Sequence, residues 1–399
     1  MKIKEYITSL IVKIDKLQND LEFVKNHSSS YLGNGIGLTH LVDETPIYIN
    51  TDDFGCPSNF INGGKYEEEY YHLLASFRNP ETVFLDIGAN LGVFSLRFSK
   101  IIKKGKIIAF EPNPTIYKLL SRSIHLNGLS NVIKSYNYGA SDKNFEGFLS
   151  VPSNHAGGAS ISENFNGTEG FNISAKVLDE LLSDLDHFDI AKIDVEGHEL
   201  NVLKGMSKLL ARSKECIIIF EKLQKNSGIE ESITNFLSQY EMLIYKVDGY
   251  KLKKIGLKEF VDSESYFIAS REKTILNEYD RNFIVIYPDD MHILEGKILD
   301  KNYILDLNVT NKTIFMHGPY WFMQKGTYKF EFDIDIIGSV NFSLTEKFGY
   351  QINSYILDEY NNKFDIIVER DLTNFEIVFR SDSNFVKFKL RKIKITRLG

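Results

Sequence analysis

A chain of 399 residues exceeds the ordinary size of one domain, and 43% hydrophobic with 25% charged residues describes a globular protein rather than a disordered one. The formal net charge of −7 argues against a general affinity for nucleic acid, whose phosphates call for a basic stripe, and no run approaches the ~20 apolar residues of a membrane span. Two cysteines, Cys56 and Cys216, are too few for a disulfide framework, so a reducing, cytoplasmic setting is expected.

The first element expected is a helix. Ile3, Ile7, Leu10, Ile14, Leu17, Leu21 and Val24 alternate four- and three-residue steps, which is the a/d seam of a coiled coil. A heptad helix over 1–27 that pairs copies of the chain into a homo-oligomer is therefore expected. Lys13, Asp15 and Lys16 interrupt the apolar centre that a signal peptide needs. The Ser- and Gly-rich residues that follow read as a linker, and 28–65 as a linker and entry segment.

From residue 66 to 270, β-rich apolar runs alternate with helical periods. Strands are predicted near 82–85, 106–110, 132–138, 188–193, 215–220, 242–247 and 266–269, with helices at 92–102, 114–127, 177–185, 199–210 and 229–239. Such alternation implies an α/β domain, Rossmann-like and doubly wound, with a mostly parallel seven-stranded sheet covered on both faces. Beyond 270 the helical period disappears. Tyr328-Lys-Phe330-Glu-Phe332-Asp-Ile334 and Phe375-Glu-Ile377-Val-Phe379 alternate apolar with polar residues, so 271–399 is expected to be an all-β sandwich.

The chemistry concentrates at the strand ends. Asp86-Ile-Gly88-Ala89-Asn90-Leu-Gly92 joins the first strand to a helix, where glycines allow close ligand approach and free N–H groups favour a carboxylate. Nicotinamide enzymes share this layout, but their Gly-x-Gly-x-x-Gly needs glycine where this chain has Asn90 and Val93. Asp86 adds a carboxylate that would repel a pyrophosphate yet could hold the amino group of S-adenosylmethionine. Glu111, ending the second strand, stands where such folds place an acid on the ribose hydroxyls, and Pro112 could lie against the adenine. Ser141 and Asp142, after the third strand, could receive the adenine amino group.

Residues 66 to about 270 resemble the FkbM family of methyltransferases through Asp86-Ile-Gly-Ala-Asn-Leu-Gly92, Phe110-Glu-Pro-Asn-Pro114, Ala140-Ser-Asp142 and, most specifically, Lys192-Ile-Asp194-Val-Glu196-Gly197-His198-Glu199. The resemblance implies a class I methyltransferase fold, S-adenosyl-L-methionine as donor, and O-methylation, often of a sugar hydroxyl in polysaccharide or natural-product pathways. Glu67 resembles a family position that borders the cofactor.

The Lys192–Glu196 run sits at the carboxyl edge of the sheet, where ligands bind in open α/β folds. An alcohol attacking a sulfonium methyl must lose its proton, so Asp194, Glu196 and His198 are the catalytic candidates, Asp194 first. A surface residue of the next helix is the alternative reading of His198, and a helix cap that of Glu196. Asp194 and Glu221, at neighbouring strand ends, could supply oxygen ligands to Mg²⁺, although no dedicated cage is visible.

The loop His155-Ala-Gly157-Gly158-Ala-Ser160 could close over the acceptor, and Tyr320 and Trp321 could stack on a sugar face or lie in the core. A sugar or glycan acceptor in surface polysaccharide biosynthesis is what the resemblance implies and is the favoured reading. A small natural product or lipid precursor, or a catalytically silent glycan-binding scaffold, are its rivals.

Overall fold

The computed structural model describes residues 29–398 apart from 56, 58–59, 61–63, 65, 154, 164–169, 223–227, 249–250, 276–282, 295–296, 299–304, 310–313, 324, 347–349, 371 and 382–385. The heptad helix expected over 1–27, and the oligomer it implies, lie outside the described residues.

The segment expected to be a linker is folded. Strands β1 (Ser30–Gly33), β2 (Ile36–His40) and β3 (Pro46–Asn50) form an antiparallel sheet. Asn34 and Gly35 turn the first hairpin at φ 51° and 69°, the left-handed torsions that an Asn-Gly turn supplies at low cost. The sheet rests on the helix Pro114–Leu126: Tyr48 N–H donates to Ser123 Oγ at 3.0 Å and Asn127 Nδ2 to the Pro46 carbonyl at 2.8 Å. Glycine density suggested a linker because its turn chemistry outweighs the short strands it joins.

The α/β region opens with α1 (Glu68–Ala75) and continues β4 (Val83–Ile87), α2 (Val93–Phe98), β5 (Lys106–Phe110), α3 (Pro114–Leu126) and β6 (Ile133–Tyr136). A four-stranded excursion follows, β7 (Gly139–Ala140), β8 (Phe145–Ser150), β9 (Ser160–Ser162) and β10 (Gly170–Lys176), paired in the order β7-β10-β8-β9. The chain resumes with α4 (Leu178–Leu181), β11 (Ile190–Ile193), α5 (Glu199–Gly205), α6 (Ser207–Arg212), β12 (Ile217–Lys222), α7 (Glu230–Ser238), β13 (Met242–Asp248), β14 (Lys251–Lys254), α8 (Leu257–Val261) and β15 (Ser265–Arg271).

The central sheet runs β14-β13-β15-β12-β11-β4-β5-β6. Strands β6, β5, β4, β11 and β12 are parallel, while β15 lies antiparallel between β12 and β13. The sheet has eight strands rather than seven because β14 folds back on β13 as a hairpin edge. In its Lys251-Leu-Lys-Lys254 sequence Leu252 is buried while Lys253 and Lys254 face solvent, as suits an exposed edge. The helix expected over 199–210 is broken at Met206 into α5 and α6.

The strand period of two splits the core into two layers. Phe84, Ile107, Ile190 and Ile219 pack with Phe94, Phe98, Ile116 and Leu120 on one face, and Leu85, Ile108, Ala191 and Ile218 with Val202, Leu203, Leu210 and Ile233 on the other. All five residues of β4 are buried, which is why it reads as an apolar run broken only by Asp86. Each such side chain contributes about 1.5–3 kcal/mol by leaving water. Helix α3 is set by its cap: Asn113 accepts from Thr115 N–H and Ile116 N–H, with Pro114 in the first helical position. Because β5 and β6 lie on one side of β4 and β11 on the other, the switch in winding opens a crevice at the carboxyl ends of β4 and β11.

Residues beyond β15 form two antiparallel sheets. One contains Phe283–Ile286, Lys297–Ile298, Leu305–Val309, Gly326–Ile337, Lys363–Val368 and Val386–Arg397; the other contains His292–Ile293, Ile314–Met323, Val340–Glu346, Tyr350–Leu357 and Leu372–Arg380. Phe332 and Phe388 of the first meet Phe342 and Phe379 of the second at ring centroid distances of 4.7 and 5.6 Å, so the sheets share an aromatic core.

Trp321 is 5% exposed, with the Arg78 guanidinium 4.7 Å from its ring centroid, so it is a core residue rather than a sugar platform. Arg78 also pairs with Asp290 at 3.0 Å, both side chains fully buried, and donates to the Val285 carbonyl at 2.7 Å. That clasp joins the β region to the segment just before β4, at the sheet end opposite the crevice. No helix among the described residues is long and apolar enough to cross a membrane.

Candidate active site

A cavity of about 510 Å³ occupies the crevice, within the range of small-molecule sites. Gly88, Asn90, Glu111 and Pro112 wall it along β4 and β5, and Asp194, Glu196 and Glu221 along β11 and β12. Glu67 and Tyr266 close its inner side, while Phe54, His155, Ala156 and Gly157 line the outer side. Asp53 Oδ2 accepts from Ala156 N–H at 3.2 Å, which ties the segment after β3 to the 155–160 loop.

The glycine turn is shaped by close backbone packing. Gly88 sits at φ 79°, and a Cβ there would lie 1.8 Å from the Asp194 carbonyl oxygen. Its N–H groups are occupied within the protein: Gly88 and Ala89 donate to the Phe110 carbonyl at 2.9 and 2.8 Å, Asn90 to Glu111 Oε2 at 2.8 Å, and Gly92 to the Ala89 carbonyl at 2.8 Å. The expected row of free donors is therefore absent from these four positions. Ala89 and Gly92 support the turn without lining the cavity.

Asp86 does not reach the cavity either. Its Oδ2 accepts from Ser95 N–H at 3.1 Å and Ser95 Oγ at 2.6 Å, so it anchors α2 to β4. Burial pushes its carboxyl pKa up, opposed by Lys192 and the Ser95 bonds. The physical reason is the strand period: Asp86 stands two residues after Phe84, on the face that α2 covers, whereas Ile87, which lines the cavity, lies on the other face.

Glu111 lines the cavity at the end of β5. Oε2 accepts from Asn90 N–H and Oε1 from Asn113 N–H, each at 2.8 Å, and burial pushes its pKa up to about 7 against those bonds. Ser141 and Asp142 are not in the wall. Ser141 Oγ donates to Asp142 Oδ1 at 3.3 Å and meets His198 Nε2 at 3.0 Å, while Asp142 accepts from Asn201 Nδ2. Tyr138, Gly139 and Ala140 line the cavity in their stead.

His198 is thus drawn away from the catalytic set, and burial lowers its pKa despite Asp142 nearby. Glu196 and Gly197 adopt φ 53° and 95°, a left-handed step that presents Glu196 to the cavity and turns the following His198 toward β7. Glu199, not Glu196, serves the start of α5, accepting from Gly197 N–H at 3.0 Å.

Three carboxylates remain together. One ligand atom each from Asp194, Glu196 and Glu221 lies within 4.8 Å of the others. Lys192 Nζ binds Asp194 Oδ2 at 2.6 Å; burial works against its ammonium, but Asp194, Glu67 and Asp86 outweigh it and raise its pKa. Burial followed by Asp194 and Glu199 pushes Glu196 up to about 7, and burial followed by Asp194, Glu196 and Glu67 pushes Glu221 up to about 8.

Glu67, at φ 50°, accepts from Tyr266 Oη at 2.6 Å, and burial raises its pKa against the pull of Lys192. Tyr266 had no signal in the sequence as a site residue. It arrives by the antiparallel register that sets it opposite Glu221.

The methyltransferase FkbM domain matches residues 86–251. The hexuronic acid methyltransferase AglP of Haloferax volcanii is 30% identical over 183 residues, spanning 44% of this chain and 70% of that protein. The chain belongs to the FkbM methyltransferase family. Another relative, methyltransferase sdnD of Sordaria araneosa, is 29% identical over 204 residues, spanning 42% of this chain and 78% of that protein. The matched FkbM region contains the glycine turn, Glu111 and all three clustered carboxylates, whereas Glu67, Tyr266 and the β region beyond residue 271 lie outside it.

Proposed function

We propose that this methyltransferase transfers the methyl group of S-adenosylmethionine to a hydroxyl of a sugar or glycan. The observation that carries the reading is the carboxylate cluster Asp194, Glu196 and Glu221, which shares a cavity with Glu111 and the glycine turn. The donor set suits the cofactor: the Glu111 carboxylate can accept from a ribose diol, Pro112 and Tyr138 offer apolar surface to a base, and the acidic end of the cavity complements a sulfonium.

When bound, S-adenosylmethionine supplies an electrophilic methyl: the acceptor oxygen forms the new O–C bond as the C–S pair leaves with sulfur. The chain's own residues then have two tasks. Glu196 or Glu221, each held near neutral values by burial and the neighbouring Asp194 carboxylate, takes the one hydroxyl proton. Lys192 and the Ile87–Asp194 backbone bond at 3.0 Å hold Asp194 at the end of β11, fixing the angle of approach. His155 and Phe54 stand on the outer wall, where an acceptor would enter; Phe54 is 74% exposed, a surface fit to cover a sugar's apolar face.

The sugar class draws support from the relative whose name specifies a hexuronic acid. Calorimetry with S-adenosylmethionine and S-adenosylhomocysteine tests the donor; no binding of either by folded protein removes the reading. Product mass spectrometry after incubation with nucleotide sugars and oligosaccharides tests the acceptor, with a mass gain of one methylene on a sugar as the expected result.

A further inference from the structure

The outer side of the cavity is built from two segments far apart in sequence, and one buried side chain holds them together. Phe54 and Gly55 line it from the segment after β3, and His155, Ala156 and Gly157 from the loop between β8 and β9. Asp53 lines nothing and is 5% exposed, yet each of its carboxylate oxygens serves one of the two segments. Oδ1 accepts from Gly55 N–H at 2.8 Å and Oδ2 from Ala156 N–H at 3.2 Å. Hydrogen bonds to a carboxylate are stronger than those between neutral groups, and a buried one is not exchanged for water.

Both segments are anchored beyond this contact. Thr51 N–H donates to the Gly35 carbonyl at 2.8 Å, which hangs the first on the β1–β2 hairpin. The loop passes beside the glycine turn, where a Cβ added at Gly157 would lie 3.7 Å from Asn90 Nδ2, an ordinary contact. Within the loop His155 Nδ1 accepts from Gly158 N–H at 2.9 Å, and a Cβ added at Gly55 would lie 3.5 Å from His155 Nε2. The imidazole is thus seated against the Gly55 backbone, with the exposed Phe54 next in the chain. Asp53, Phe54 and Gly55 precede the matched FkbM region, which holds the glycine turn, Glu111 and the three carboxylates.

We infer that Asp53 is a positioning residue for the acceptor: by latching segment 53–55 to the 155–158 loop, it fixes Phe54 and His155 at the opening through which a sugar reaches Glu196 and Glu221. The assignment rests on the hydroxyl-acceptor reading above and deepens it. With the latch broken, the outer wall holds its binding arrangement only part of the time, and the apparent affinity for the acceptor falls by that fraction. Glu111 and the carboxylates at the reacting end keep their places, so an acceptor once bound is methylated at nearly the normal rate.

Amide hydrogen exchange of the full chain measures the latch directly, and steady-state kinetics with UDP-glucuronic acid and UDP-glucose as acceptor probes measure its consequence. Asp53→Ala should speed exchange across 155–160 at least about tenfold, raise KM for the methylated probe about tenfold (~1.4 kcal/mol), and leave kcat within about threefold. Its calorimetric affinity for S-adenosylhomocysteine should stay within about twofold of wild type. Asp53→Asn, which keeps one acceptor oxygen, should fall between the two. Should Asp53→Ala fail to fold, Ala156→Pro breaks the latch from the other side. Ala156 opens the short turn Ala156–Gly158, where the fixed φ of proline is tolerated and the N–H that reaches Asp53 is lost. The same rise in KM is expected.

Exchange unchanged in both Asp53→Ala and Ala156→Pro overturns the latch, and faster exchange with KM within about twofold of wild type overturns its positioning role. A fall in kcat with KM unmoved marks Asp53 as a residue of the fold alone and overturns the inference as well. Wild-type protein that binds S-adenosylhomocysteine yet methylates neither probe counts against the sugar reading, and exchange then decides the latch by the same two outcomes.

Discussion

Replacing Gly88 with alanine separates the turn's two demands, torsion and space. At φ 79° any L side chain costs about 1–2 kcal/mol, a penalty shared by Gly128 at φ 68°. Gly128 has nothing within 4 Å of an added Cβ, whereas at Gly88 the Cβ would meet the Asp194 carbonyl oxygen at 1.8 Å and its carbon at 2.9 Å. Both neighbours are backbone, so no side chain can swing aside. Ordinary contact begins at 3.4 Å, and the β4 turn and the β11 end must therefore part by more than an ångström in all.

A displacement of about 1 Å at a reacting centre costs on the order of 100-fold in rate. Gly128→Ala should lose only the torsional stability, about 1–2 kcal/mol by denaturant unfolding, and bind S-adenosylhomocysteine normally. Gly88→Ala should lose at least as much stability and, where still folded, about 100-fold in kcat/KM. If Gly88→Ala binds and turns over within about twofold of wild type, a difference of only ~0.4 kcal/mol, the turn does not position the site and the reasoning fails.

Three further outcomes follow from the same geometry. Because the Glu221 carboxyl is raised to about 8, it is protonated below that pH, so kcat/KM should rise as pH climbs through 7–8. Glu221→Gln should lose about 10²–10⁴-fold and flatten that limb; an unchanged profile would remove Glu221 as proton acceptor. His198→Ala should retain wild-type turnover and lose about 1 kcal/mol of stability with the Ser141 contact, measured by denaturant unfolding; a hundredfold fall in kcat would restore it to the catalytic set. Arg78→Met strands the buried Asp290 carboxylate and should destabilise by about 3–5 kcal/mol, with Arg78→Met/Asp290→Asn recovering part of that loss in thermal unfolding.

Much of the fold could be read from local pattern. The apolar runs of β4, β5, β11 and β12 and the helical periods between them are properties of consecutive residues, and Asn113-Pro114 marks the start of α3 by its own capping chemistry. The turn at Gly88, Glu111 at the end of β5, and Asp194 and Glu196 after β11 were legible for the same reason: a strand's last residues fall at the sheet edge wherever the sheet lies.

What only tertiary structure decided is the direction in which side chains face and which distant segments meet. Asp86 and His198 belong to the family's motifs, yet one is claimed by Ser95 and the other by Ser141, because strand alternation and the left-handed step at Glu196 turn them from the cavity. The Asn34-Gly35 hairpin was missed as part of a linker, since its strands gain stability only by lying on α3.

Tyr266 reaches Glu67 across 199 positions of sequence, through the pairing of β15 with β12. Contacts of that kind depend on closing long loops and on burial that no local window contains. The sequence by itself determined the sheet edge and the acids that stand on it; the tertiary structure decided which of those acids share one cavity and which are turned to hold the fold.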